Sequence, residues 1–221
     1  MNRSTVFVLA TALAACARTP APATPAPRSS ATVAGTSTTS TPPAASATPA
    51  ATGRPITAAD IRFMTGMIGH HAQAVLIAGW AASHGANPSI QTLAARIIVS
   101  QNDEIHFMQN WLKDHGQPVP AVDTAHAHMA MPGMDHGEMM PGMLTSEQLA
   151  QLDAARGKDF DRLFLTFMMQ HHRGAITMVN QLIGTPGAAQ DDVMFKFISD
   201  VNADQTTEID RMATMLLTLP D

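Results

Sequence analysis

Only one of the 221 residues is a cysteine, Cys16, and only 14% are charged. A single thiol excludes an internal disulfide and any thiolate-built zinc cage. No stretch alternates apolar and polar residues as a half-buried strand does, so nothing points to a sheet. A phosphate-cradling glycine loop and a Ser-His-Asp signature are both missing, which leaves no sequence basis for nucleotide or hydrolytic chemistry. Before residue 56 there is no Asp or Glu at all; all 18 acidic residues follow, together with nine of the 13 Lys and Arg. This acidic excess argues against nucleic acid and anionic lipid as partners and is compatible with cations.

The two ends of the first quarter have different chemistry. Residues 1–15 run from Arg3 through a short apolar region to small side chains, the pattern of an export signal and too short to span a bilayer. Leu13-Ala14-Ala15-Cys16 resembles a bacterial lipobox, which predicts that Cys16 is lipidated and that the membrane is met through that anchor only. Residues 16–55 then supply the anchor and a tether of Ala, Pro, Thr and Ser that has too little apolar surface to offset the entropy of ordering. The expected location is the cell envelope, with residues 56–221 as a domain facing the periplasm or the exterior.

Within that domain the sequence repeats itself. "DIRFMTGMIGHH" (60–71) and "DRLFLTFMMQHH" (161–172) share Asp, Phe, Thr, Met and a His pair at an offset of 101. "QNDEIHFM" (101–108) and "QTTEIDRM" (205–212) share Gln, Glu, Ile and Met at an offset of 104. Two copies of a unit, each a His-His helix and a Gln-x-x-Glu-Ile helix, are therefore present. Punctuation predicts the bounds: a capping box at Thr57-Ala58-Ala59-Asp60 opens a helix to about Ser83, and a second runs from about Pro88 to Lys113. Thr145 caps a short helix to about Arg156, and long helices follow over about Lys158–Ile183 and Gln190–Leu217. The expected fold is all-α, a four-helix bundle built from two repeated helical hairpins with a Met/His-rich crossover.

At helical spacing Phe63, Met67, His70, Ala74 and Ile77 form one buried stripe, and Phe164, Met168, His171 and Ala175 form its counterpart. Asp60, Met64 and His71, and Asp161 and His172, lie on the adjoining stripes. Each copy presents a thioether and imidazoles from one turn. The bland alternative is that Met67 and Met168 fill core gaps and that the histidines are satisfied by hydrogen bonds. The crossover "HAHMAMPGMDHGEMMPGM" (126–143) adds His126, His128, Met129, Met131, Met134, His136, Met139, Met140 and Met143. A loop cannot bury six methionines without burying its own backbone polar groups, so these read as ligands.

Soft neutral thioethers with imidazole and no thiolate suit copper, Cu(I) above all, with Cu(II) possible at the histidines. Di-iron chemistry would need paired Glu-x-x-His motifs, which are missing; Glu104 and Glu208 are expected to brace histidines or helix ends instead.

His70-His71-Ala72-Gln73-Ala74-Val75 and His171-His172-Arg173-Gly174-Ala175-Ile176, the Gln-x-x-Glu-Ile-x-x-Met helices and Phe160-Asp161 resemble the bacterial family catalogued as domain of unknown function 305 (DUF305). The resemblance covers about 58–217. It implies an exported, ferritin-like helical bundle from a family linked to copper binding and tolerance, with Met67, His70, His71, Met168, His171 and His172 as ligands.

The expected function is a non-enzymatic envelope lipoprotein that sequesters Cu(I) or transfers it to a metal-exchange protein partner. A ferritin-like oxidase and a partner-binding helical module with no metal role are the alternatives. The domain should fold without metal. With the ordinary imidazole pKa of about 6.5, the histidine sites should lose copper between about pH 7 and pH 5, while thioethers should not.

Overall fold

The computed structural model describes residues 54–122 and 139–219. Five helices account for them: α1 (Ala58–Ser83), α2 (Pro88–Asp114), α3 (Ser146–Ala154), α4 (Gly157–Ile183) and α5 (Asp192–Thr218). Among the described residues there is no strand, and no helix is long and apolar enough to cross a membrane. The fold is all-α. Cys16 and residues 1–53, and the crossover positions His126, His128, Met129, Met131, Met134 and His136, lie outside the described residues.

Local chemistry sets the helix ends. The Thr57 hydroxyl accepts from the Asp60 amide while the Asp60 carboxylate accepts from the Thr57 amide at 2.8 Å, the reciprocal box that the sequence predicts. Thr145 and Gln148 repeat it at α3. Two boundaries differ from expectation. α3 stops at Ala154 because Ala155 and Arg156 are extended, Arg156 already being the N-cap of α4. α5 starts at Asp192, because Asp191 is the residue whose side chain accepts from the Met194 amide.

α1 packs along α2, α4 packs along α5, and the two hairpins meet through α1 and α4, with α3 against α4. The core forms two clusters. One gathers Ile77, Ile90, Leu93, Ile97, Phe160 and Phe164, and the other gathers Phe63, Met67, Ile105, Met108, Val179 and Phe197. Each fully buried phenylalanine contributes roughly 2–3 kcal/mol. The first cluster takes the second half of α1 and the first half of α4, and the other takes the opposite halves. His70-His71 and His171-His172 fall between the two.

The repeat also clasps itself. Asp60 reaches across to accept from the Ala189 amide at 2.7 Å, in the turn between α4 and α5. Its counterpart Asp161 accepts from the Asn87 amide at 3.0 Å, in the turn between α1 and α2. Each hairpin's first helix thus holds the turn of the other.

Candidate metal centre

Met67, His70, His71, Met168, His171 and His172 are all buried, Met67 and Met168 completely. The predicted stripes are buried in the structure, and Val75 and Ile176, which continue the adjoining stripes at helical spacing, are half-buried. At that seam the rings of His70 and His171 meet, their centroids 3.9 Å apart and their planes tilted by 41°. His71 and His172 lie outward of them, at 6.3 Å from His70 and 6.2 Å from His171.

The outer pair is braced as the motif spacing suggests. His71 Nε2 meets Glu104 Oε2 at 2.6 Å, and His172 Nε2 meets Glu208 Oε2 at 2.6 Å. A carboxylate can only accept, so each Nε2 carries the proton and donates it. In the neutral ring that leaves the lone pair on Nδ1, and Nδ1 of both residues has no hydrogen-bond partner in the protein. Carboxylate–imidazole pairs of this kind orient metal-binding histidines and raise their basicity. One turn before each glutamate, Gln101 and Gln205 are buried with side-chain amide atoms unpartnered. Asp204, beside Gln205, has its carboxyl raised by burial and by the nearby Glu104, Glu208 and Asp200 charges.

The inner pair is not symmetric. His70 Nε2 lies 2.9 Å from the Pro141 carbonyl oxygen, whereas neither nitrogen of His171 has a partner. Burial pushes His70 down to about 3, with His71 and His172 repelling its charge and the Pro141 carbonyl pulling the other way. His171 is held well below the ordinary range by the same desolvation and by the other three histidines. The His70 backbone, close to the His171 ring, opposes this. Both inner rings are therefore neutral at pH 7. For the inner pair this corrects the expectation that the histidine sites lose copper between about pH 7 and pH 5, because burial keeps His70 and His171 neutral across that range.

The carbonyl on His70 is delivered by the returning end of the crossover. Gln73 clamps Leu144 through two bonds, its Nε2 donating to the Leu144 carbonyl at 3.1 Å and its Oε1 accepting from the Leu144 amide at 2.7 Å. Opposite, the backbone of Pro141-Gly142 rests on Gly174. A Cβ on Gly174 would come within 1.9 Å of the Pro141 oxygen, and Gly142 itself needs a left-handed φ of +78°. Gln73 and Gly174 occupy the same position of the repeat, 101 apart. The sequence signal for the difference is their mismatch at one of the variable positions of the His-His-x-x-Ala motif.

Of the crossover methionines that are described, Met139 is exposed, Met140 half-buried against the core and Met143 buried. Met143 is drawn inward because its neighbours Gly142 and Leu144 are docked. Among the described residues no three His, Cys, Asp or Glu side chains converge on one point as a metal cluster. The donors that are available are unpartnered imidazole nitrogens and buried thioethers.

The family model of the domain of unknown function DUF305 matches residues 60–216. The chain belongs to the DUF305 family. Its fold is similar to that of a DUF305 protein of Streptomyces coelicolor, at 27% identity and a TM-score of 0.60 over 72% of this chain and 92% of that one. A DUF305 fragment from Deinococcus radiodurans is 26% identical, with a TM-score of 0.59 over 75% and 99% of the two chains. CopM in its Cu(II)-bound form is 30% identical, with a TM-score of 0.56 over 72% and 95%. Similar structures of CopM also hold Cu(I), and silver. An uncharacterized protein, L153, of Acanthamoeba polyphaga mimivirus is 36% identical over 55 residues, which span 25% of this DUF305 chain and 36% of that protein.

Proposed function

We propose that this DUF305 protein binds copper at the α1–α4 seam as a non-enzymatic envelope lipoprotein, sequestering Cu(I) or handing it to a metal-exchange partner and so contributing to copper tolerance. One observation carries the reading: four buried imidazoles lie between the two core clusters, the inner two in ring contact, with Nδ1 of every ring unpartnered. Leaving that many buried acceptors empty costs about 1–3 kcal/mol each, a cost that a structural histidine would avoid and a bound ion would offset. The donor set fits the ion. His70 and His171 are neutral and need lose no proton to bind, and Met67 and Met168, one turn before them, add soft sulfur that favours Cu(I), with Cu(II) possible at the imidazoles. The similarity to CopM, which is seen with both copper states, supports the same choice.

His126, His128, Met129, Met131, Met134, His136, Met139, Met140 and Met143 serve in this reading as a second, Met-rich copper-binding stretch. A signal over 1–15 and lipidation of Cys16 would place the domain, residues 56–221, outside the cytoplasm on a 16–55 tether. Titration of the full chain with Cu(I) against a competing chelator tests the central site. The His70→Ala/His171→Ala double variant should lose the tightest equivalent, with affinity falling by more than about a hundredfold, two ligand losses at about tenfold or more each. Unchanged affinity and stoichiometry in a folded double variant would remove the central site from the protein's function.

A further inference from the structure

We propose that the docked segment Pro141–Leu144 is a tautomer lock that makes the two inner histidines unequal, fixing His70 as an Nδ1 ligand while leaving His171 unassigned, and that Gln73 and Gly174 are the positioning residues that hold it. The inference deepens the copper reading and rests on it for the ligand half alone. A carbonyl oxygen cannot donate, so the 2.9 Å contact from Pro141 requires the proton on His70 Nε2. His70 is fully buried with no carboxylate on it, and the nitrogen left with a lone pair is Nδ1. Which ring nitrogen takes a metal is set by the hydrogen bond that the other one makes. By the same logic Glu104 and Glu208 make His71 and His172 Nδ1 donors. Three of the four rings are locked into one form, and His171 is the exception.

The two halves of the repeat are identical at His-His and differ at several following positions, among them the one three residues after the inner histidine, Gln73 against Gly174. The divergence matches the lock. Gln73 supplies an amide that reads the Leu144 backbone at both its groups, and Gly174 supplies the missing Cβ that lets Pro141 and Gly142 approach. Neither residue touches the metal-binding nitrogens.

Nitrogen-15 NMR of the imidazoles in the full metal-free chain at pH 7 reads the lock directly. His70 should give a single Nε2–H form with a slowly exchanging ring proton, and His171 should show a mixture of Nδ1–H and Nε2–H forms. Gly174→Ala and, separately, Gln73→Ala should erase the protected His70 proton while those of His71 and His172 persist and helical circular dichroism is unchanged. On adding Cu(I), the His70 nitrogen that shifts should be Nδ1, and each variant should bind about tenfold more weakly. A His70 proton on Nδ1, a protected proton that survives both substitutions, or a Cu(I) shift at Nε2 would overturn the proposal. If the lock is present and lost as expected but no ring responds to Cu(I), the copper reading and the ligand half fall together and the apo lock stands. Gln73→Ala guards against a Gly174→Ala chain that fails to fold.

Discussion

The two halves of this molecule begin from nearly the same sequence and end in different states. In the first, Asp60 closes a capping box and also holds Ala189, and His70 has a partner on Nε2. In the second, Asp161 holds Asn87 without closing a capping box, and neither nitrogen of His171 has a hydrogen-bond partner. His71–Glu104 and His172–Glu208 are the same at 2.6 Å. The lesson is that repetition builds the outer shell of the site, while a single non-repeated segment, the end of the crossover, decides the inner one.

Acid gives the largest expected effect, because it acts on both inner histidines at once. An unfolded imidazole titrates near 6.5, whereas His70 in the fold is pushed down to about 3 and His171 well below its ordinary value. Between those limits the unfolded chain holds more protons. Stability from these groups is therefore complete above about pH 6.5 and is lost as pH falls below it, down to about 3 for His70, at up to about 1.4 kcal/mol per pH unit for each. The raised carboxyls of Asp161 and Asp204 work the other way over a narrower range. Urea midpoints of the metal-free protein should fall steeply from pH 6 to pH 4, and His171→Leu should remove about half of that slope. A flat profile would mean that the inner pair is not neutral and buried together.

Next in size is the difference between the two clasps. Asp60→Ala removes a capping box and strands the buried Ala189 amide, for about 2–4 kcal/mol. Asp161→Ala removes one shared bond to the Asn87 amide and should cost about 1–2 kcal/mol. Chemical denaturation of the two variants should rank them in that order; equal losses would make the clasps equivalent.

These contrasts mark what could be read in the chain. Helix bounds were legible at Thr57, Thr145 and Pro88 because caps and breakers act within four residues. Burial of the His-Met stripes followed from spacing, and the bracing role of Glu104 and Glu208 followed from the repeat. The Pro141 carbonyl on His70 was not legible, since a backbone oxygen has no residue identity and its position depends on where the crossover returns. The lowered histidine pKa values were missed for a related reason. Desolvation depends on what covers the ring, and here the cover is the other helix together with its own histidines.

A smaller effect separates the inner histidines without any metal. His171→Leu replaces a ring with two unpartnered nitrogens by an apolar side chain of similar size, so the metal-free protein should gain about 1–2 kcal/mol. His70→Leu does the same to one nitrogen but strands the Pro141 carbonyl, and its net gain should be close to zero. Thermal melts at pH 7 that show equal stabilisation would mean that the carbonyl contact contributes nothing.

The smallest expected change in stability carries the sharpest chemical contrast. Met67 and Met168 are completely buried, each three residues before an inner histidine. Leucine keeps most of their volume, so Met67→Leu and Met168→Leu should each change stability by less than about 1.5 kcal/mol. Leucine removes the sulfur, however, and sulfur matters to a soft ion far more than to a harder one. Competition titrations should therefore show Cu(I) affinity falling in each variant while Cu(II) affinity stays within about twofold, because imidazole alone serves Cu(II). If His171 is the more adaptable inner ligand, Met168→Leu should be the milder of the two, since an unlocked ring can turn toward another donor and His70 cannot. Equal Cu(I) and Cu(II) losses would reduce both thioethers to packing, and a greater loss in Met168→Leu would reverse the roles of the two halves.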